Sequence, residues 1–117
     1  VMIKDNHIEV AGGITAAVLA VRSNISHGIK IEVETTTLAQ VQEAIDVKAD
    51  IIMLDNMDIE TMRNGIELIA GRAKIEASGN ITLERLREVA ATGVDFISVG
   101  ALTHSVSALD ISQRIED

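Results

Sequence analysis

Five apolar runs in the 117-residue sequence each stop at a residue able to do chemistry. Val1-Met2-Ile3 stops at Lys4, residues 29–33 at Glu34, and residues 51–54 at Asp55. Residues 73–77 stop at Ser78, and residues 96–99 at Gly100. Two carboxylates such as Glu34 and Asp55 can share a Mg²⁺ or hold sugar hydroxyls. They can also divide into acid and base when their surroundings split their pKa values. Each can equally cap the following helix or face water. Lys4 can neutralise a phosphate or carboxylate, or be an ordinary solvated lysine. Ser78-Gly79-Asn80 and Gly100-Ala101 place small residues before candidate helix starts, where backbone N–H groups can reach phosphate. Ordinary turns use the same residues. His7 and His104 lie in loops beyond strand ends, where a histidine is more often a surface residue than a ligand. Glu32 shares a strand with Glu34, and alternation alone does not choose between them.

These residues share a site only if the elements that carry them do. Residues 1–4 read as a short strand and Asp5-Asn6-His7 as the loop leaving it. Gly12-Gly13 precedes a helix over 14–22 with Val18, Leu19 and Val21 inward. Ile29, Ile31 and Val33 alternate with Lys30, Glu32 and Glu34, the period of a strand. Thr35, Thr36 and Thr37 offer capping hydroxyls to a helix over 38–49 whose Leu38, Val41, Ala44 and Ile45 keep helical spacing. Residues 51–54 form an unbroken apolar run, as in a central buried strand. Asp58 can cap a helix over 59–70 with Ile59, Met62, Ile66 and Ile69 inward. A strand over 73–77 follows, then a helix over 82–91 with Leu83, Leu86, Val89 and Ala90 inward and Gly93 as its stop. Residues 94–99 make the fifth strand and 101–104 begin a short helix. The tail over 108–115 favours a strand without an obvious partner.

Repeated strand–helix units imply a parallel sheet in an α/β fold. In such sheets, ligands sit at the carboxyl ends of the strands. A closed (β/α) barrel needs about 200 residues or more. The expectation is therefore a partial TIM-like (β/α) barrel over residues 1–105, with about five parallel strand–helix units and a strand-like tail over 106–117. An open end would leave an edge strand that invites self-association.

Composition narrows the function classes. A net charge of −8 argues against a sequence-independent nucleic-acid binder, which needs Lys and Arg to displace counterions. Without cysteine there is no disulfide framework, thiolate metal site or thiol nucleophile, in keeping with a cytoplasmic protein. No apolar run approaches the ~18 residues of a membrane span, and no signal peptide is visible. Phe96 is the single aromatic, so the core must be aliphatic. Proline is absent, and nothing in the sequence explains it. Zinc-hydrolase, Walker-type and serine-hydrolase motifs are missing. The chain opens on an apolar run without Met, and reads as a piece of a longer protein.

Ile3-Lys4-Asp5-Asn6-His7, Ile31-Glu32-Val33-Glu34, Leu54-Asp55-Asn56 and Glu76-Ala77-Ser78-Gly79-Asn80 appear in this order. They are followed by Gly93-Val94-Asp95-Phe96-Ile97-Ser98-Val99-Gly100-Ala101-Leu102-Thr103-His104-Ser105 and Ala108-Leu109-Asp110-Ile111-Ser112. In these stretches the chain resembles the quinolinate phosphoribosyltransferases, the decarboxylating enzymes of NAD biosynthesis. The resemblance implies that Lys4 faces quinolinate or the pyrophosphate of phosphoribosyl pyrophosphate (PRPP). It implies that Glu34 and Asp55 hold the ribose hydroxyls and Mg²⁺, and that Ser78, Gly79, Gly100 and His104 line a phosphate pocket. Lys4, Glu34 and Asp55 are the implied catalytic residues.

The same resemblance implies an amino-terminal domain, first barrel strands and quinolinate-gripping arginines that this sequence does not contain. It also implies a homo-oligomer, dimer or hexamer, for the full-length protein, with this fragment inactive alone. Two rival expectations remain. One is a related phosphoribosyltransferase with another acceptor, such as nicotinate or a molybdenum-associated paralogue. The other is a non-catalytic fragment that assembles through its open barrel edge.

Overall fold

The computed structural model describes residues 1–79 and 81–99, together with the backbone of Ser105–Ser107. Five parallel strands follow one another in the sheet in chain order: β1 (Met2–Ile3), β2 (Glu32–Thr35), β3 (Ile51–Asp55), β4 (Lys74–Ser78) and β5 (Phe96–Ser98). A sixth strand, β6 (Ser105–Ser107), pairs antiparallel with β5 and was not anticipated. Helices α1 (Asp5–Ala11) and α2 (Ile14–Arg22) link β1 to β2, and α3 (Leu38–Asp46) links β2 to β3. Helices α4 (Ile59–Ile69) and α5 (Leu83–Ala91) make the next two crossovers. Right-handed crossovers along a monotonic strand order put every helix on one face of the sheet, as in a barrel wall. Among the described residues, no helix is long and apolar enough to cross a membrane.

Sequence chemistry sets the element ends. The hydroxyls of Thr37 and Thr82 and the carboxylate of Asp58 accept hydrogen bonds from the backbone N–H groups of Gln40, Arg85 and Thr61 at 3.2, 3.2 and 2.7 Å. Each satisfies one of the donors left open at a helix start. At the other end of the sheet, Asp50 and Asp95 each precede a strand and accept from the backbone of the neighbouring one. Ile31 N–H donates to Asp50 at 2.8 Å and Ile75 N–H to Asp95 at 2.9 Å.

The two faces of the sheet differ in chemistry. Val33, Ile52, Leu54, Ile75, Ala77 and Ile97 point at the helices and join Val18, Val41, Met62 and Val89 in the main apolar core. The alternate positions carry Glu32, Glu34, Met53, Asp55, Glu76, Ser78 and Ser98, which a strand period of two places on the opposite face.

Four sequence expectations need correction. Asp5-Asn6-His7 is the first turn of α1 rather than a loop: Ile8 N–H bonds to Lys4 C=O at 3.1 Å, and Lys4 N–H donates to His7 Nδ1 at 3.2 Å. A histidine in the place where Glu or Gln usually closes a capping box hid that start. β2 begins at Glu32, with Ile29 exposed, and runs on through Thr35. Thr35 therefore donates its hydroxyl to Met53 C=O at 2.7 Å instead of capping α3. Leu19 and Leu83 face water, at 58% and 83% exposure. Leu19 lies one helical step past the buried arc of Ile14, Ala17 and Val18, and Leu83 is the first residue of α5, ahead of the turns that pack. The expectations for Asn80, Gly100 and His104, the helix over 101–104 and the tail over 108–115 lie outside the described residues.

Candidate functional site

Lys4, Glu34, Asp55 and Ser78 each stand at the carboxyl end of a strand, and pairing fixes their lateral order. Ile3 pairs with Val33, so Lys4 and Glu34 follow each other's partners on adjacent strands. Thr35 pairs with Leu54, and Asp55 pairs directly with Ser78. A parallel sheet carries no choice here: once the register is set, strand-end side chains of one parity share one rim.

Glu34 sits among charged neighbours on this rim. The Glu34 carboxyl is half-buried, and its pKa is raised from the ordinary glutamate value. Burial is the main cause, followed by the negative charges of Asp55 and Asp5, while Lys4 opposes the rise. Two like charges close enough to perturb one another attract a cation. Asp5 belongs to this set and was missed. It sits at the start of α1, in the Asp5-Asn6-His7 stretch that the sequence presents as a loop.

Gly79 closes the rim against Asn56. Both have positive φ, +117° and +53°, and Asn56 N–H donates to Ser78 C=O at 3.0 Å. A Cβ on Gly79 would overlap the Asn56 side-chain oxygen and lie 2.9 Å from its backbone nitrogen. The loops after β3 and β4 are therefore drawn together at a point where only glycine fits.

One pleat below the rim lies a second polar layer. Glu32 and Glu76 are buried, with 8% and 6% exposure, and their side chains hydrogen-bond to each other. The hydroxyl of Ser98 donates to Glu76. Burial, the Glu76 hydrogen bond and the Glu76 charge push the Glu32 pKa up to about 8. The signal for this layer was available: Glu32 and Glu76 each precede a rim position by two residues, and Ser98 follows by two the residue paired with Glu76, so all three share one face.

Among the described residues, no group of three or more His, Asp or Glu side chains is placed to hold a metal. The donor set at Glu34 and Asp55 nonetheless suits Mg²⁺, which is commonly bound by one or two carboxylates together with substrate phosphates and water. An apolar cavity of about 360 Å³ lies elsewhere, between β1, α1 and α2, and is lined by Met2, Ile3, Val10 and Ala17 among others. It contains none of the rim carboxylates.

Comparison with known proteins gives a consistent result. The family model for the quinolinate phosphoribosyl transferase C-terminal domain matches residues 1–114. A probable nicotinate-nucleotide pyrophosphorylase [carboxylating] of Synechocystis is 50% identical over 118 residues, covering 98% of this chain and 40% of the relative. A chloroplastic nicotinate-nucleotide pyrophosphorylase [carboxylating] of Oryza sativa is 45% identical over 134 residues, covering 99% of this chain and 36% of the relative. The crystal structure of the nicotinate-nucleotide pyrophosphorylase from Ehrlichia chaffeensis superposes with a TM-score of 0.84 at 36% identity, over 92% of this chain and 39% of that one. The chain thus spans about two fifths of the length of the curated relatives it matches.

Proposed function

The chain belongs to the quinolinate phosphoribosyl transferase family through its C-terminal domain, and on that premise we propose that it supplies the phosphoribosyl half of such an enzyme's active site. The observation that carries the reading is the pair Glu34 and Asp55, whose charges act on one another at a rim that also holds Lys4. The whole protein would transfer the phosphoribosyl group of PRPP to the nitrogen of quinolinate. Pyrophosphate leaves, the pyridine carboxylate next to that nitrogen is lost as CO₂, and the ring carbon takes up a proton to give nicotinate mononucleotide.

Each rim residue has a physical task in that reaction. As the bond to pyrophosphate breaks, positive charge grows on the ribose carbon, and the Glu34 and Asp55 carboxylates stabilise it. The same two groups hold the ribose hydroxyls, which fixes the sugar face presented to the incoming nitrogen. Lys4 neutralises an anionic oxygen of quinolinate or pyrophosphate. Ser78 and Gly79, with Gly100 and His104, receive the 5-phosphate. Mg²⁺ would be held by Glu34 and Asp55 and would supply charge neutralisation at the pyrophosphate. A cytoplasmic location, in keeping with the lack of cysteine, and a homodimeric or hexameric whole protein, implied by the family resemblance, complete the proposal.

The test is Asp55→Asn in the full-length protein. Catalysis should fall by about 10²-fold or more, the scale on which removal of one stabilising electrostatic group is felt. Unchanged steady-state kinetics would remove Asp55 from the mechanism.

A second reading, a non-catalytic piece that assembles with its own copies, is favoured by one feature. Among the described residues β1 pairs only with β2, and Val1 and Met2 are exposed beside the apolar cavity. Sedimentation of the 117-residue chain as a monomer at high concentration would count against it.

A further inference from the structure

The polar layer beneath the rim has no task in the reaction as described. Inward positions of such barrels are mostly filled by branched aliphatic side chains, and a buried carboxyl is costly unless it is hydrogen-bonded. Here Glu32 of β2, Glu76 of β4 and Ser98 of β5 form a hydrogen-bonded chain across the sheet. β3, which they bypass, contributes Met53 at its inward position, buried yet outside the main apolar core. Glu32 and Glu76 stand two residues before the rim residues Glu34 and Ser78, and Ser98 shares their face of the sheet.

Backbone ladders fix the distance between neighbouring strands. They do not fix how the side chains of non-adjacent strands sit relative to one another. A chain from β2 through β4 to β5 does so directly, because a buried, satisfied polar network permits few alternative arrangements. Among the described residues, no buried side-chain polar atom lacks a partner. The layer is therefore complete and able to act as a brace.

We propose that Glu76 is a positioning residue: through its hydrogen bonds to Glu32 and Ser98 it holds the ends of β2, β4 and β5 in the relative placement that the phosphoribosyl group requires. The inference rests on the proposed function of the rim, and its test separates the two. In the full-length protein, Glu76→Leu removes both hydrogen bonds. Glu76→Gln keeps them, since the amide accepts from Ser98 and donates to Glu32.

For Glu76→Leu the expected result is a loss of about tenfold or more in kcat and in kcat/KM for PRPP. The KM for quinolinate should stay within about twofold, the pattern of a misplaced reacting group. Glu76→Gln should recover activity to within about threefold of the parent. Ser98→Ala should show the same pattern on a smaller scale, and it decides the matter if Glu76→Leu does not fold. Parental PRPP kinetics in a folded Glu76→Leu, or in Ser98→Ala where Leu fails to fold, overturns the brace. So does a Gln variant as impaired as Leu. Glu34→Gln serves as the control. If it is impaired while the Glu76 variants are not, only the brace fails; if it too is unaffected, the reading of the rim fails as well.

Discussion

Gly79 and Glu32 show two ways in which one residue constrains this site. At Gly79 the constraint is steric: φ of +117° disfavours any Cβ, and Asn56 occupies the space that one would need. Gly79→Ala should lower stability by about 1–3 kcal/mol, the usual cost of such a backbone strain. Thermal unfolding measures it, and a wild-type midpoint would show that the two loops can part freely. At Glu32 the constraint is electrostatic. The groups acting on it are Glu76, Glu34 and the Val1 ammonium, the last opposing the rise. Its folded pKa of about 8 lies above the ordinary 4.5. Stability from this group is therefore complete below about pH 4.5 and is lost as pH rises through 8. Glu34 is shifted in the same direction. The melting temperature should fall between pH 5 and pH 8.5, and Glu32→Gln should flatten that slope. A melting temperature that rises over this interval would contradict the assignment.

At the scale of elements, α4 lies with Gly65 buried against Leu54 and Leu38. Its φ is not positive, and a Cβ there would meet Leu54 at 3.5 Å and Leu38 at 3.7 Å, ordinary contacts. Gly65→Ala should therefore keep the packing and gain helix propensity, about 0.5–1 kcal/mol. A rise of a few degrees in melting temperature would show it, and a fall would mean the α4–β3 interface is tighter than its geometry. The same elements show what the sequence disclosed. α3, α4 and α5 announced themselves through Thr37, Asp58 and Thr82 and through apolar spacing, which are local properties. α1 did not, because it is seven residues long and only the partly buried Ile8 packs against the core, too little for a helical period to show. β2 was displaced because Ile29-Lys-Ile-Glu-Val alternates like a half-exposed strand, whereas Glu32 and Val33 are both buried.

For the molecule as a whole, charge sets the limit on what this chain does alone. It carries a net charge of −8, and on the described rim Lys4 is the cation set against Glu34, Asp55 and Asp5. On the proposed function, quinolinate brings two carboxylates and PRPP a polyphosphate, so that function calls for more positive charge than Lys4 supplies on the described rim. The 117-residue chain should release no CO₂ from quinolinate and should bind Mg²⁺·PRPP at most weakly. Quinolinate-dependent CO₂ release by the pure chain would overturn that.

What the sequence determined is the order of strand and helix, and with it the rim. Parallel strands in chain order leave their final residues on one side, so Lys4, Glu34, Asp55 and Ser78 were legible as a set. The tertiary structure decided which charges meet. Asp5 joins the rim through a helix start invisible to periodicity. Glu32 pairs with Glu76 across an intervening strand, a contact between residues 44 positions apart. Local pattern reports which face a side chain takes; only the stagger of the folded sheet reports which side chain it finds there.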